Sequence, residues 1–120
     1  MKIINYLHTA ILVSDLAKAE HFYGKILGLS KVDRVLKYPG VWYQIGNYQL
    51  HLIVAQNFRS ALHNAEKIGQ NPHLALAVDD LDMAKQELEN NGYSVTVSAS
   101  GRAALFTQDP DGNIVEISQM

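Results

Sequence analysis

His8-Thr9-Ala10-Ile11-Leu12-Val13-Ser14-Asp15-Leu16 returns 65 positions later as His73-Leu74-Ala75-Leu76-Ala77-Val78-Asp79-Asp80-Leu81. Carried on to Tyr23 and Leu88, the two stretches share six identities in sixteen positions: His8/His73, Ala10/Ala75, Val13/Val78, Asp15/Asp80, Leu16/Leu81 and Ala19/Ala84. The same offset lays Leu50-His51-Leu52 on Val115-Glu116-Ile117. One shift aligns both ends of two half-chains, which is the mark of an internal repeat.

Each half reads the same way. Residues 3–13 are rich in β-formers and end at Ser14-Asp15, a helix N-cap signal. The next stretch carries Leu16, Ala19, Tyr23, Ile26 and Leu27 at helical spacing and stops near Gly28. Strands are predicted over 29–36, 40–45 and 48–54, punctuated by Pro39-Gly40 and Gly46-Asn47. The second half gives a strand over 73–78 and a cap at Asp79-Asp80. Its helix has Leu81, Ala84 and Leu88 on one face, and strands follow over 93–98, 103–107 and 113–118. Asp109-Pro110-Asp111-Gly112 forms the last hairpin turn. The expectation is an α+β fold of two βαβββ modules in one domain, 1–120. Module one spans 1–55, a linker 56–72 holds a short helix over 59–68, and module two spans 73–120.

Composition bounds the function. At 120 residues, 48% apolar and 18% charged, the chain is long enough and apolar enough to bury a core unaided. Ten Lys+Arg against twelve Asp+Glu leave a formal charge of −2 and no basic face for nucleic acid. With no cysteine, disulfides, thiolate metal sites and Cys nucleophiles are excluded. The apolar runs are too short for a membrane span, and Met1–Tyr6 lacks a signal-peptide core. A soluble cytoplasmic protein is expected.

Strand parity sorts the polar residues, because residues two apart share a face. Leu74, Leu76 and Val78 fall on one face of their strand, Val115 and Ile117 on one face of theirs, and Leu50, Leu52 and Val54 on one face of a third. These faces are expected to pack on the helices. The opposite faces carry His8 and His51 in one half, and His73 and Glu116 in the other. Taken singly, a strand histidine is most often a half-buried, hydrogen-bonded residue and a strand glutamate a solvated one. Three imidazoles and a carboxylate at matching places of a repeat point instead to one divalent metal ion, Zn, Ni, Fe, Mn or Co. Four protein ligands in an octahedral shell leave two adjacent positions, enough for a substrate held through neighbouring oxygens. Tyr38 and Tyr43 are candidates for a cavity wall. Of Trp42 and Tyr43, only one can face it. Arg34 and Arg102 are candidates to meet a substrate anion, with an ordinary solvated charge the favoured reading for each. His21 and His63 are expected at the surface.

The chain resembles the vicinal oxygen chelate superfamily, which includes glyoxalase I, bleomycin- and fosfomycin-resistance proteins, methylmalonyl-CoA epimerase and extradiol dioxygenases. The two repeated stretches above carry the resemblance, with Phe22-Tyr23-Gly24-Lys25-Ile26-Leu27-Gly28-Leu29 and Asp109-Pro110-Asp111-Gly112-Asn113-Ile114-Val115-Glu116-Ile117. It implies paired βαβββ modules related by a pseudo-twofold axis, forming a cup-shaped mixed sheet around a divalent ion. His8, His73 and Glu116 match three recurrent ligand positions, and His51 matches the fourth, which is Glu in glyoxalase I. With His51 bound, the set suits a lyase or isomerase with Glu116 as ligand and proton carrier. Without it, His8, His73 and Glu116 resemble the facial triad of an Fe(II) extradiol dioxygenase. A non-catalytic binding or resistance protein is the third reading. Leu12 and Ala55 stand where bacterial glyoxalase I has Arg and Asn, which points away from a glutathione substrate. Ala10 stands where fosfomycin enzymes have Thr. The resemblance also implies a homodimer with the site at or near the interface. Its modules are commonly exchanged, so that His8 and His51 come from one subunit and His73 and Glu116 from the other.

Overall fold

β1 (His8–Val13) runs parallel to β4 (Tyr48–Val54), which runs antiparallel to β3 (Gly40–Ile45). A two-residue β2 (Ser30–Lys31) completes the sheet in the order β1-β4-β3-β2. The second sheet repeats this as β5-β8-β7-β6, from β5 (His73–Val78), β6 (Thr96–Val97), β7 (Ala104–Gln108) and β8 (Ile114–Gln119). The computed structural model describes residues 1–120, divided into two compact units, Met1–Phe58 and Arg59–Met120. Residues 59–72 therefore belong with the second unit. Each unit is a βαβββ repeat built on a four-stranded mixed sheet.

The helices start where side-chain chemistry starts them. Asp15 accepts a hydrogen bond from the Lys18 backbone N–H at the head of α1 (Leu16–Glu20). Asp80 does the same for Met83 at the head of α2 (Leu81–Asn90). Each cap satisfies a donor that the first turn leaves without a partner. α1 continues as a wider π-type turn over His21–Ile26, and Gly28 ends it at φ +74, a conformation that suits glycine. In the first unit the helical segment buries Ala19, Phe22 and Tyr23 with Val13, Val41, Tyr43, Leu50 and Leu52 of the sheet. In the second, Leu88 is buried along with Leu105, Val115 and Ile117. Burying a side chain of this size stabilises a fold by about 1.5–3 kcal/mol. The alternation read from the sequence shows in the burial of β1, β3 and β5, whereas β4, β7 and β8 carry runs of buried residues on both faces.

Five expectations are corrected. The strand expected over 3–13 begins only at His8, because β4 begins at Tyr48 and its last bond on this side, from the Gln49 N–H to the Leu7 carbonyl, leaves residues 3–6 no strand partner. Ile3 and Ile4 are left 82% and 86% exposed. The strands expected over 29–36 and 93–98 shrink to two residues each at sheet edges, where one neighbour alone supports them. The linker helix over 59–68 does not form, and only a single 3₁₀ turn appears at Ile68–Gln70. Tyr43 lies on the helix face, 1% exposed, so it cannot line an open-face cavity. Burial, with Glu20 nearby, pushes its hydroxyl up to about 12. No helix is long and apolar enough to cross a membrane.

Candidate metal centre

Strand register builds the open face of the first sheet in rows. His8, Gln49 and Gln44 form one row across β1, β4 and β3, continued by Ser30 on β2. Ala10, His51 and Trp42 form the next. The His51 ring stacks on Trp42, with centroids 3.8 Å apart and planes within 2°. His8 stacks on the same imidazole at 4.0 Å and 16°. The Arg34 guanidinium lies 4.3 Å from the Trp42 ring centroid. Four planar groups are therefore piled along this face, with His51 held between two of them. His8 is exposed and His51 is 6% exposed. Burial first, then the charges of His8 and Arg34, lowers the His51 pKa from its ordinary value, so its ring is neutral at neutral pH.

The second sheet has the same plan with different chemistry. Ala75, Glu116 and Phe106 form the row that matches Ala10, His51 and Trp42. Ile114 stands where Gln49 stands in the first unit, beside His73. Glu116, 8% exposed, receives the Arg102 guanidinium, with Nη2 2.9 Å from Oε1. Arg102 is thus not the plain solvated charge favoured from sequence. The His73 ring meets Phe106 edge-on at 5.6 Å. Gly69 lies so close to the Phe106 ring that a Cβ there would come within 2.8 Å of it. His73, Glu116, Arg102 and Phe106 line a cavity of about 600 Å³ that also takes in Lys67 and Ser100.

His73 is aimed by a buried asparagine. Its Nδ1 lies 2.7 Å from the backbone carbonyl of Asn71. The Asn71 side chain, in turn, ties down the preceding loop. Its Oδ1 accepts from the backbone N–H groups of His63 and Asn64, and its Nδ2 donates to the carbonyls of Asn64, Lys67 and Ile68. The Asp109–Asn113 hairpin is structural, as expected: Asp109 accepts from the backbone N–H groups of Asp111 and Asn113 and from the Asn113 amide.

The predicted site residues thus fall into two pairs. His8 and His51 are in ring contact in the first unit, and His73 and Glu116 share a cavity in the second. No group of three or more His, Asp or Glu side chains is gathered at one point in the chain. Tyr38 lines a smaller cavity of about 230 Å³ on the first unit with Arg34 and Trp42, and its hydroxyl accepts from the Trp42 indole N–H. His21 and His63 are exposed, as expected. Gln44, Gln49 and Asn71 were missed. The readable signal was position, since Gln49 and Asn71 each stand two residues before a candidate ligand.

Two duplicated βαβββ units, each presenting imidazole or carboxylate on an open sheet face, define the class. The chain belongs to the Glyoxalase/Bleomycin resistance protein/Dioxygenase superfamily, whose family model matches residues 5–117. It is 28% identical over 121 residues to lactoylglutathione lyase of Escherichia coli O157:H7, covering 92% of this chain and 89% of that protein. It is also 28% identical over 127 residues to human mitochondrial methylmalonyl-CoA epimerase, covering 93% of this chain and 72% of that one. The crystal structure of lactoylglutathione lyase from Agrobacterium tumefaciens superposes with a TM-score of 0.69 at 25% identity, covering 96% of this chain and 92% of that one.

Proposed function

We propose that this chain is a cytoplasmic, divalent-metal-dependent lyase or isomerase for a small metabolite that chelates through adjacent oxygens. On this reading the whole chain acts as one domain, His8, His51, His73 and Glu116 form the ligand set, and a homodimer completes the site. The observation that carries it is the repeat-related pairing of donors: each unit presents two at matching register positions. In the second unit the donor chemistry fits, whereas the stacked rings of His8 and His51 would have to turn for both in-plane lone pairs to meet one ion. His73 gives its Nδ1 to a carbonyl and keeps Nε2 for a ligand, and Glu116 has a second oxygen beyond the one that Arg102 meets. Relatives named as a lyase and an epimerase support C–H chemistry of this kind.

A bound divalent ion would supply Lewis acidity toward the chelating oxygens. The rest falls to the protein. Glu116 takes a proton from the substrate carbon on the oxygen that Arg102 leaves free and returns it, so that this oxygen would serve as ligand before the transfer and as base during it, while Arg102 holds the other in place. Phe106 and the wall of the cavity limit water around that exchange.

Metal addition tests the proposal. Chelator-treated protein given zinc or nickel at about 100 times the dissociation constant should gain about 2.7 kcal/mol in unfolding free energy. His73→Ala should lose that gain. A protein whose stability and metal content ignore zinc, nickel, manganese and iron alike overturns the proposal.

A further inference from the structure

A run of hydrogen bonds with one allowed polarity leads to His51. The Gly46 and Tyr48 carbonyls can only accept, so the Gln44 group 2.8 and 3.2 Å from them is its NH₂. Gln44 therefore turns its oxygen toward Gln49, whose NH₂ lies 2.9 Å away. That leaves the Gln49 oxygen, itself an acceptor, 2.9 Å from Nε2 of His51. Only an N–H on Nε2 completes the run. A neutral imidazole carries one N–H, so the lone pair sits on Nδ1. His73 is set the other way, because its Nδ1 faces the Asn71 carbonyl at 2.7 Å and must donate.

We infer that Gln44 and Gln49 are positioning residues that lock His51 as the Nε2–H tautomer, so that His51 and His73, one candidate imidazole from each unit, offer different nitrogens, Nδ1 from His51 and Nε2 from His73. Stacking between His8 and Trp42 fixes the ring plane, and the amide relay fixes which nitrogen is protonated. The second unit has no such relay. Ile114 takes the place of Gln49, and the central residue is Glu116, a carboxylate with no tautomer to set. The relay thus accompanies the imidazole. Its consequence for a cation rests on the metal-centre reading: a donor on Nδ1, attached directly to Cγ, places the ion nearer its own strand than one on Nε2.

Long-range ¹H–¹⁵N spectra of the labelled, metal-free protein, at about pH 8.5 where imidazoles are neutral, read the protonated nitrogen of each ring. The expected result is His51 wholly Nε2–H and His73 wholly Nδ1–H. Gln49→Leu should turn His51 into a mixture of tautomers and weaken zinc binding about tenfold. Gln49→Glu, which still accepts from Nε2–H, should keep the wild-type form, and His73 should be unaffected in both. A His51 protonated at Nδ1 or already mixed in the wild type overturns the inference, as does a Gln49→Leu protein with His51 still uniform. Zinc is then added to the wild-type sample. A response at His51 Nδ1 supports the stated consequence, and ligation through Nε2 overturns it. Locked tautomers with no response to zinc uphold the relay and count against the metal reading alone.

Discussion

Replacing Glu116 with Gln is expected to lower turnover by about 10²- to 10⁴-fold, the range that general acid–base groups contribute. The substitution keeps the shape of the side chain and an oxygen for Arg102. It removes the charge and the ability to hold a proton taken from carbon. Zinc affinity should fall at least about tenfold in parallel, because an amide is a poorer ligand than a carboxylate. The fold should survive, since Glu116 meets a guanidinium that is itself 58% exposed and can return to water. Steady-state kinetics and zinc calorimetry measure both effects. A Glu116→Gln protein with wild-type turnover and wild-type zinc affinity would remove Glu116 from the site.

The second large effect is structural. Asn71→Ala should lower the unfolding free energy by about 3 kcal/mol, because it strips a buried amide's bonds from several part-buried backbone groups at once. Asn71 is 4% exposed and its amide holds five backbone groups. The loop over 63–70 has only the 3₁₀ turn at Ile68–Gln70 of its own, which engages the Lys67 and Ile68 carbonyls and none of the other three groups. Urea unfolding measures the loss. A change below about 1 kcal/mol would show that the loop keeps its shape without the amide. Asn71→Asp should fall between the two, since it retains the acceptor and loses the donors.

Much of this fold is written at short range. Asp15 and Asp80 announce their helices, Gly28 closes the first, and strand parity separates Leu50 and Leu52 from His51. The repeat relation placed His8 with His73 and His51 with Glu116 at matching positions, and the strand registers match in the same way. What could not be read depends on partners distant in sequence. β-formers at 3–6 have no strand partner because β4 begins only at Tyr48, and those at 29–36 and 93–98 sit at edges. Residues 59–68 look able to form a helix, but the Asn71 amide competes for their backbone groups. Arg102 reaches Glu116 across fourteen residues, a meeting that only the β7–β8 pairing creates. Trp42 and Phe106 take equivalent rows, although the repeat offset does not align them, because the two hairpin turns differ in length.

Trp42 is the chain's sole tryptophan, and it lies flat against His51. The excited indole readily gives up an electron, and an imidazole becomes a better acceptor whenever charge is drawn from it. The intrinsic fluorescence of this protein is thus a built-in reporter of what happens to one candidate ligand, with no label attached and no second fluorophore of its kind to blur the signal.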